Sequence, residues 1–155
     1  MRKARYPNKV RESAETEARA DELLLYSNHN VHGLLQTPEY TRSLLEVRRP
    51  AYSQDELEQM VAARVARHSV FDRAPAPDLS FVQEQVTLER PIGGTMVLRR
   101  RPEHLLELCQ LPNVEVQVMP ALHRGHPGMS GLIELLKFED GTGVGRSDGE
   151  QLQQQ

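Results

Sequence analysis

The segment Ala74-Pro75-Ala76-Pro77-Asp78 constrains this chain more than any other. Proline lacks the amide donor that a helix interior needs and pushes the preceding residue into extended geometry, so no helix crosses this stretch. It divides the chain into halves of different character. Before it, apolar residues recur at helical spacing; after it, short alternating runs and glycine turns take over. Helices first and strands later is the order of an α+β domain, here with N-terminal helices laid on a small, mainly antiparallel sheet.

The first half reads as three helices. Val10, Ala14, Ala18 and Leu25 recur along one face of residues 10–28, with Glu12, Glu15, Glu17, Asp21 and Glu22 on the other. His32-Gly33 ends that element. Thr37-Pro38-Glu39 then supplies an N-cap hydroxyl, a proline at the first helical position and an acid in the first turn, starting a short helix that runs to about Val47. Ser53-Gln54-Asp55-Glu56 is a capping box, and Leu57, Val61 and Val65, flanked by Met60 and Phe71, trace the buried stripe of a third helix.

Beyond the linker, 79–83 reads as a strand, and 84–90 either extends it or turns helical. Gly93-Gly94 is a turn. Leucines over 95–110 predict a helix that Pro102 either starts or kinks. Val114, Val116 and Val118 alternate with Glu115 and Gln117, the pattern of a half-buried strand that Pro120 closes. A His- and Gly-rich loop over 121–131 leads to a strand over 132–138, and Glu139-Asp140-Gly141 turns the chain. The expected organisation is a basic arm over 1–14, one domain over 15–140 (a helical half to 73, a sheet half from 79), and a flexible tail over 141–155 with too little apolar content to pack.

Length and charge fit that plan. A chain of 155 residues is enough for one core. The net charge of −3 argues against a surface devoted to nucleic acid, and no apolar run is long enough to span a bilayer. The lone Cys109 has no partner for an internal disulfide, the usage of a cytoplasmic protein. Arg2, Lys3, Arg5, Lys9 and Arg11 crowd the N-terminus. They read as a solvated arm before they read as a phosphate-binding one, and Arg48-Arg49 and Arg99-Arg100-Arg101 read the same way.

Four ordered motifs carry a resemblance: 33–40 (GLLQTPEY), 63–67 (ARVAR), 81–88 followed by Gly93-Gly94, and 113–120 (NVEVQVMP). Over residues 15–140 the chain resembles the C-terminal domain of unknown function in actinobacterial XRE-type, antitoxin-like helix-turn-helix transcriptional regulators. The resemblance implies a regulatory module that binds a small ligand or a small partner protein, with homodimers through helical faces as one arrangement. It also implies three departures: no helix-turn-helix ahead of the match, Pro102 inside a helix the family keeps continuous, and a Gly- and Gln-rich tail where the family closes with a strand and helices.

Several side chains are candidates for ligand contact. Gln36 and Tyr40 flank the start of the second helix, where structural duty is the first reading and a pocket lining the second. Arg64 and Arg67 share a face of the third helix; Glu84 is their expected partner across the linker, forming either a buried ion pair or an anion pocket. His123 and His126 sit three apart on the glycine-rich loop. They are too few to hold a metal alone, with His104 and Cys109 as the conceivable further ligands, so no metal and no cofactor are expected. No nucleophile elbow, phosphate loop or dinucleotide fingerprint is present. The rival to a binding module is a small biosynthetic or tailoring enzyme using Glu84, His123 and His126 as acid–base groups, which requires those three to converge within hydrogen-bond reach.

Overall fold

The run Leu23-Leu24-Leu25-Tyr26 is apolar without alternation, the signature of a strand buried on both faces, yet equally that of a helix segment. In the computed structural model, which describes residues 8–147 and 150–152 and the side chains of 11–147, it is a strand. Helix α1 (Asn8–Glu17) stops short of it, and β1 (Glu22–Ser27) follows. The expected continuous helix over 10–28 is therefore two elements. Central position decides this: β1 has a strand on each side.

The chain continues through a 3-10 turn (Gly33–Leu35), α2 (Pro38–Glu46), α3 (Gln54–Ala66), a second 3-10 turn (Arg67–Asp72), β2 (Asp78–Glu84), α4 (Gln85–Glu89) and α5 (Gly94–Leu108). It ends in β3 (Val114–Met119), a 3-10 turn (Pro127–Ser130), β4 (Ile133–Lys137), β5 (Gly143–Ser147) and β6 (Glu150–Leu152). Among the described residues the sheet has the order β3-β2-β1-β4-β5-β6. Strands β1, β2 and β3 run parallel, whereas β4, β5 and β6 add antiparallel to the other side of β1.

This corrects the expected fold class in two respects. The content is α and β, but the sheet is mixed and not mainly antiparallel, and helices are not confined to the N-terminal half. Parallel neighbours require long crossover connections; α2 and α3 supply the one from β1 to β2, and α4 and α5 the one from β2 to β3. Residues 143–147 and 150–152, read as unable to pack, extend the sheet as β5 and β6. Arg2, Lys3 and Arg5 lie outside the described residues, while Lys9 and Arg11 belong to α1.

Local chemistry sets the helix starts as the sequence indicates. The Thr37 hydroxyl accepts from the Tyr40 amide with Pro38 in the first turn, and Ser53 and Glu56 form the reciprocal capping box. Helix α5 runs from Gly94 with Pro102 inside it, and Gly93 at its N-cap has φ +82°, where an added Cβ would lie 2.6 Å from the Ser43 hydroxyl oxygen. On the sheet, Leu23, Leu25, Leu79, Phe81 and Leu136 face the helices and form the core with Leu34, Leu35, Tyr40, Val70 and Leu105. No helix among the described residues is long and apolar enough to cross a membrane.

Where the second 3-10 turn meets α5, the His68 and His104 rings stack at 6.2 Å between centroids, and Phe71 packs edge-on to His68. Both Nε2 atoms are buried with no hydrogen-bond partner among the described residues. Burial pushes the His68 pKa down, outweighing the Gly33 carbonyl, and the charges of His104, Arg67 and Arg64 act in the same sense as burial. A histidine depressed in the folded state stabilises fully above its unfolded pKa of about 6.5, and this contribution is lost as pH falls below that value toward the folded pKa. His68→Phe is therefore expected to lose less stability than the parent between about pH 7 and about pH 5, read from urea midpoints. Equal losses in the two proteins would contradict this account.

Candidate functional site

Parity along β2 selects the site. Leu79, Phe81 and Gln83 face the helices, so Ser80, Val82 and Glu84 point to the opposite face. Tyr26 pairs with Val82 in register, which puts its ring on that same face, two residue pairs short of Glu84. Met119, the last residue of β3, pairs with Glu84, and the chain then leaves the sheet into the loop that carries His123 and His126. Both imidazoles return over the carboxyl ends of β1 and β2, the end of parallel strands where α/β sheets bind ligands.

Four side chains meet there. The Tyr26 hydroxyl donates to Glu84 Oε1 at 2.7 Å. His126 Nε2 lies 3.1 Å from the same oxygen and 3.4 Å from the tyrosine hydroxyl, while His123 Nε2 lies 3.2 Å from Glu84 Oε2. The Tyr26 and His126 rings meet edge to face at 5.4 Å, and the two imidazoles are 4.9 Å apart. The loop is tied at both ends: the Ala121 amide donates to Gln85 Oε1, and the Asn28 side chain donates to the Met129 carbonyl.

Hydrogen-bond partners fix the protons. The Gly128 amide donates to His126 Nδ1 at 3.1 Å, so the proton of this ring sits on Nε2 and points at Glu84. His123 Nδ1 lies 2.6 Å from the Arg124 carbonyl and must donate to it. Its Nε2 also faces a carboxylate oxygen, so acceptors at both nitrogens favour the protonated ring. The Arg124 carbonyl accordingly holds the His123 pKa up against its own desolvation, with the Glu84 hydrogen bond and charge adding to the rise. Burial pushes Glu84 up, but the bonds from Tyr26, His126 and His123 outweigh it and keep the carboxyl below the usual range. Tyr26 is pushed up to about 12 by burial, by its bond to Glu84 and by the Glu84 charge. The site is thus a carboxylate held by three donors.

One ligand atom each from Glu84, His123 and His126 lies within 4.8 Å of the others. The conceivable further ligands His104 and Cys109 are elsewhere: His104 stacks on His68, and Cys109 is exposed after α5. The group that joins the two histidines is Glu84.

The remaining candidates hold the fold together on the helical side. Gln36 is 3% exposed; its amide donates to the Val31 carbonyl, and its oxygen accepts from Thr41 and Arg64. The Tyr40 hydroxyl accepts from the Val31 amide. Arg67 forks onto Glu17 at 3.0 and 2.6 Å. The expected pairing of Arg64 and Arg67 with Glu84 does not form, because Glu84 points away from α3. The guanidinium groups of both arginines instead cover Gly33, where an added Cβ would lie 3.0 Å from Arg67 Nη1. Close by, His32 accepts the Leu34 amide at Nδ1 and donates from Nε2 to the buried Glu134 at 3.0 Å, with Arg146 3.7 Å from the other carboxylate oxygen. Burial raises the Glu134 pKa, but His32, Arg67 and Arg146 outweigh it and hold the carboxyl low.

Sequence reasoning did not single out Tyr26, His32 or Glu134. Tyr26 was hidden in the segment read as helix; once 22–27 is a strand, its parity with Leu24 places it opposite the core. Over residues 10–153 the chain matches the family model described as a domain of unknown function, DUF5753. No curated protein and no solved structure matches it.

Proposed function

The chain belongs to the DUF5753 family, a domain of unknown function, and from that premise we propose that it is a ligand-recognition module whose site is the Tyr26–Glu84–His123–His126 cluster. The observation that carries this reading is convergence: two strand ends and a glycine-rich loop bring four polar side chains to one point at the carboxyl ends of parallel strands. The regulatory setting, an XRE-type antitoxin-like regulator in the cytoplasm that passes the binding signal on, rests on the four sequence motifs named above.

A small acid–base enzyme is the second reading, and one observation favours it. Glu84 and His123 form a carboxylate–imidazole pair at 3.2 Å, within the reach that proton exchange requires. Recognition is the simpler use of the same groups, because the carboxylate already has three donors among the described residues.

Native mass spectrometry of the protein purified from its own cells tests the proposal. The expected spectrum shows mass in excess of the polypeptide for the parent, and the bare polypeptide for a Glu84→Ala/His123→Ala/His126→Ala variant. Excess mass that persists in the variant would place the ligand elsewhere; none in either protein would refute recognition at this site.

A further inference from the structure

Resting on the recognition reading of this cluster, we propose that Glu84, His123 and His126 form a binding site for a divalent transition-metal ion of the zinc class. Two imidazoles and one carboxylate are the mixed nitrogen and oxygen donors that such ions take, whereas calcium and magnesium favour all-oxygen sets. Bonds of about 2.0–2.1 Å in a tetrahedron place neighbouring donor atoms about 3.3 Å apart. The separations of 3.1 Å from His126 Nε2 to Oε1 and 3.2 Å from His123 Nε2 to Oε2 are each near that edge, and one donor atom from each of the three residues lies within 4.8 Å of the others, a gap that a small inward turn of the rings closes. Three protein ligands leave the fourth position for water or for an atom of a bound molecule.

The surrounding groups fit the same role. Metal-bound histidines characteristically donate their other ring nitrogen to a carbonyl or carboxylate, which fixes the ring and leaves a lone pair for the ion. His123 has the ring-fixing half of that arrangement, with Nδ1 donating to the Arg124 carbonyl at 2.6 Å; its Nε2, which faces Glu84, releases its proton to solvent as the ion enters. Tyr26 holds Glu84 Oε1 from outside the donor set, in the manner of an outer-shell partner, and so steadies the carboxylate.

His126 differs, and its difference gives the ion something to change. Its Nδ1 accepts from the Gly128 amide, so the proton sits on the nitrogen that faces Glu84. For Nε2 to hold a metal, the proton must move to Nδ1, and the Gly128 amide then loses its acceptor. Ring and backbone are in close contact there: a Cβ on Gly128 would lie 3.1 Å from both Cε1 and Nδ1 of His126. Metal entry therefore shifts the Pro127–Ser130 turn, which the Asn28 side chain grips through the Met129 carbonyl. The ion reshapes an exposed loop, and a partner can read that change.

The test uses the full chain stripped with a chelator and titrated with zinc chloride in competition with a chromophoric chelator. The expected result is one equivalent bound, with affinity reduced by more than about tenfold in His123→Ala and by about tenfold in Tyr26→Phe. His29→Ala serves as a folded control and should bind as the parent does. Cobalt(II) should give the strong visible bands of four-coordinate geometry, and amide resonances of Gly125, Gly128 and Met129 should shift on zinc addition. His123→Ala alters a part-exposed loop side chain, so folding does not confound it. Parent affinity within about twofold of His123→Ala, well below the tenfold loss expected for a ligand, would overturn the metal proposal. If zinc fails while native spectra still show a bound mass that the triple variant loses, recognition stands with another ligand; if both measurements are blank, both readings fall.

Discussion

Replacing Arg67 by alanine is expected to lower the unfolding free energy by about 3–5 kcal/mol, because it leaves the Glu17 carboxylate buried and uncompensated. The Glu17 side chain is 4% exposed and that of Arg67 17%, and the two are joined by a two-pronged bond that ties the end of α1 to the end of α3. Arg67 also helps hold Glu134 in its charged form. The Arg42–Glu58 pair gives the contrast: its two bonds of 2.6 and 2.7 Å are equally good, but its side chains are 36% and 51% exposed. Arg42→Ala should therefore cost far less than Arg67→Ala. Urea denaturation of the two variants decides the matter, and similar costs for both would show that burial of the Glu17 pair contributes nothing.

Arg101→Ala is expected to cost about 3 kcal/mol or more, since each buried acceptor left without a donor costs about 1–3 kcal/mol. The Arg101 guanidinium is fully buried; it donates to the Thr87, Leu88 and Arg90 carbonyls and lies 4.5 Å from the centre of the Tyr40 ring. No carboxylate among the described residues pairs with it; burial lowers its pKa, and the Tyr40 phenol acts in the opposite sense. Lysine keeps the charge but not the planar fork, so Arg101→Lys should fall between alanine and the parent. Arg100 is exposed one position earlier, and Arg100→Ala should change stability by less than about 0.5 kcal/mol. A loss of under about 1 kcal/mol for Arg101→Ala would mean that water replaces the guanidinium at all three carbonyls.

Arg101 also shows where sequence reading runs out. Within Arg99-Arg100-Arg101 nothing local separates the buried residue from its exposed neighbours; helical phase against Tyr40 and α4 does, and that depends on tertiary docking. Where a signal is local it was legible. Thr37-Pro38 and Ser53 to Glu56 state their own caps, and Val114, Val116 and Val118 state their strand. The three leucines of β1 read as helix because a central strand has no polar face to betray its period of two. That one misreading removed the strand that makes the sheet mixed, and it concealed Tyr26.

The site was half legible for the same reason. Glu84, His123 and His126 stood out by residue type, and the structure brings them together. Their relation to Arg64 and Arg67 hinged on parity: Gln83 faces the helices and Glu84 does not, and a shift of one residue along a strand changes every neighbour. Residue type names candidates, but strand register decides which of them meet.

Strand β1 gains its parallel neighbour only when Leu79 to Gln83 have been made, and its antiparallel neighbour only with Ile133 to Lys137. Its backbone N–H and C=O groups therefore wait, unpaired on one side, until residue 137 has been made. A shortened chain ending before residue 133 would turn the middle of the sheet into an open rim, ready to zip onto another copy, and would come down as inclusion bodies and not as a smaller folded protein.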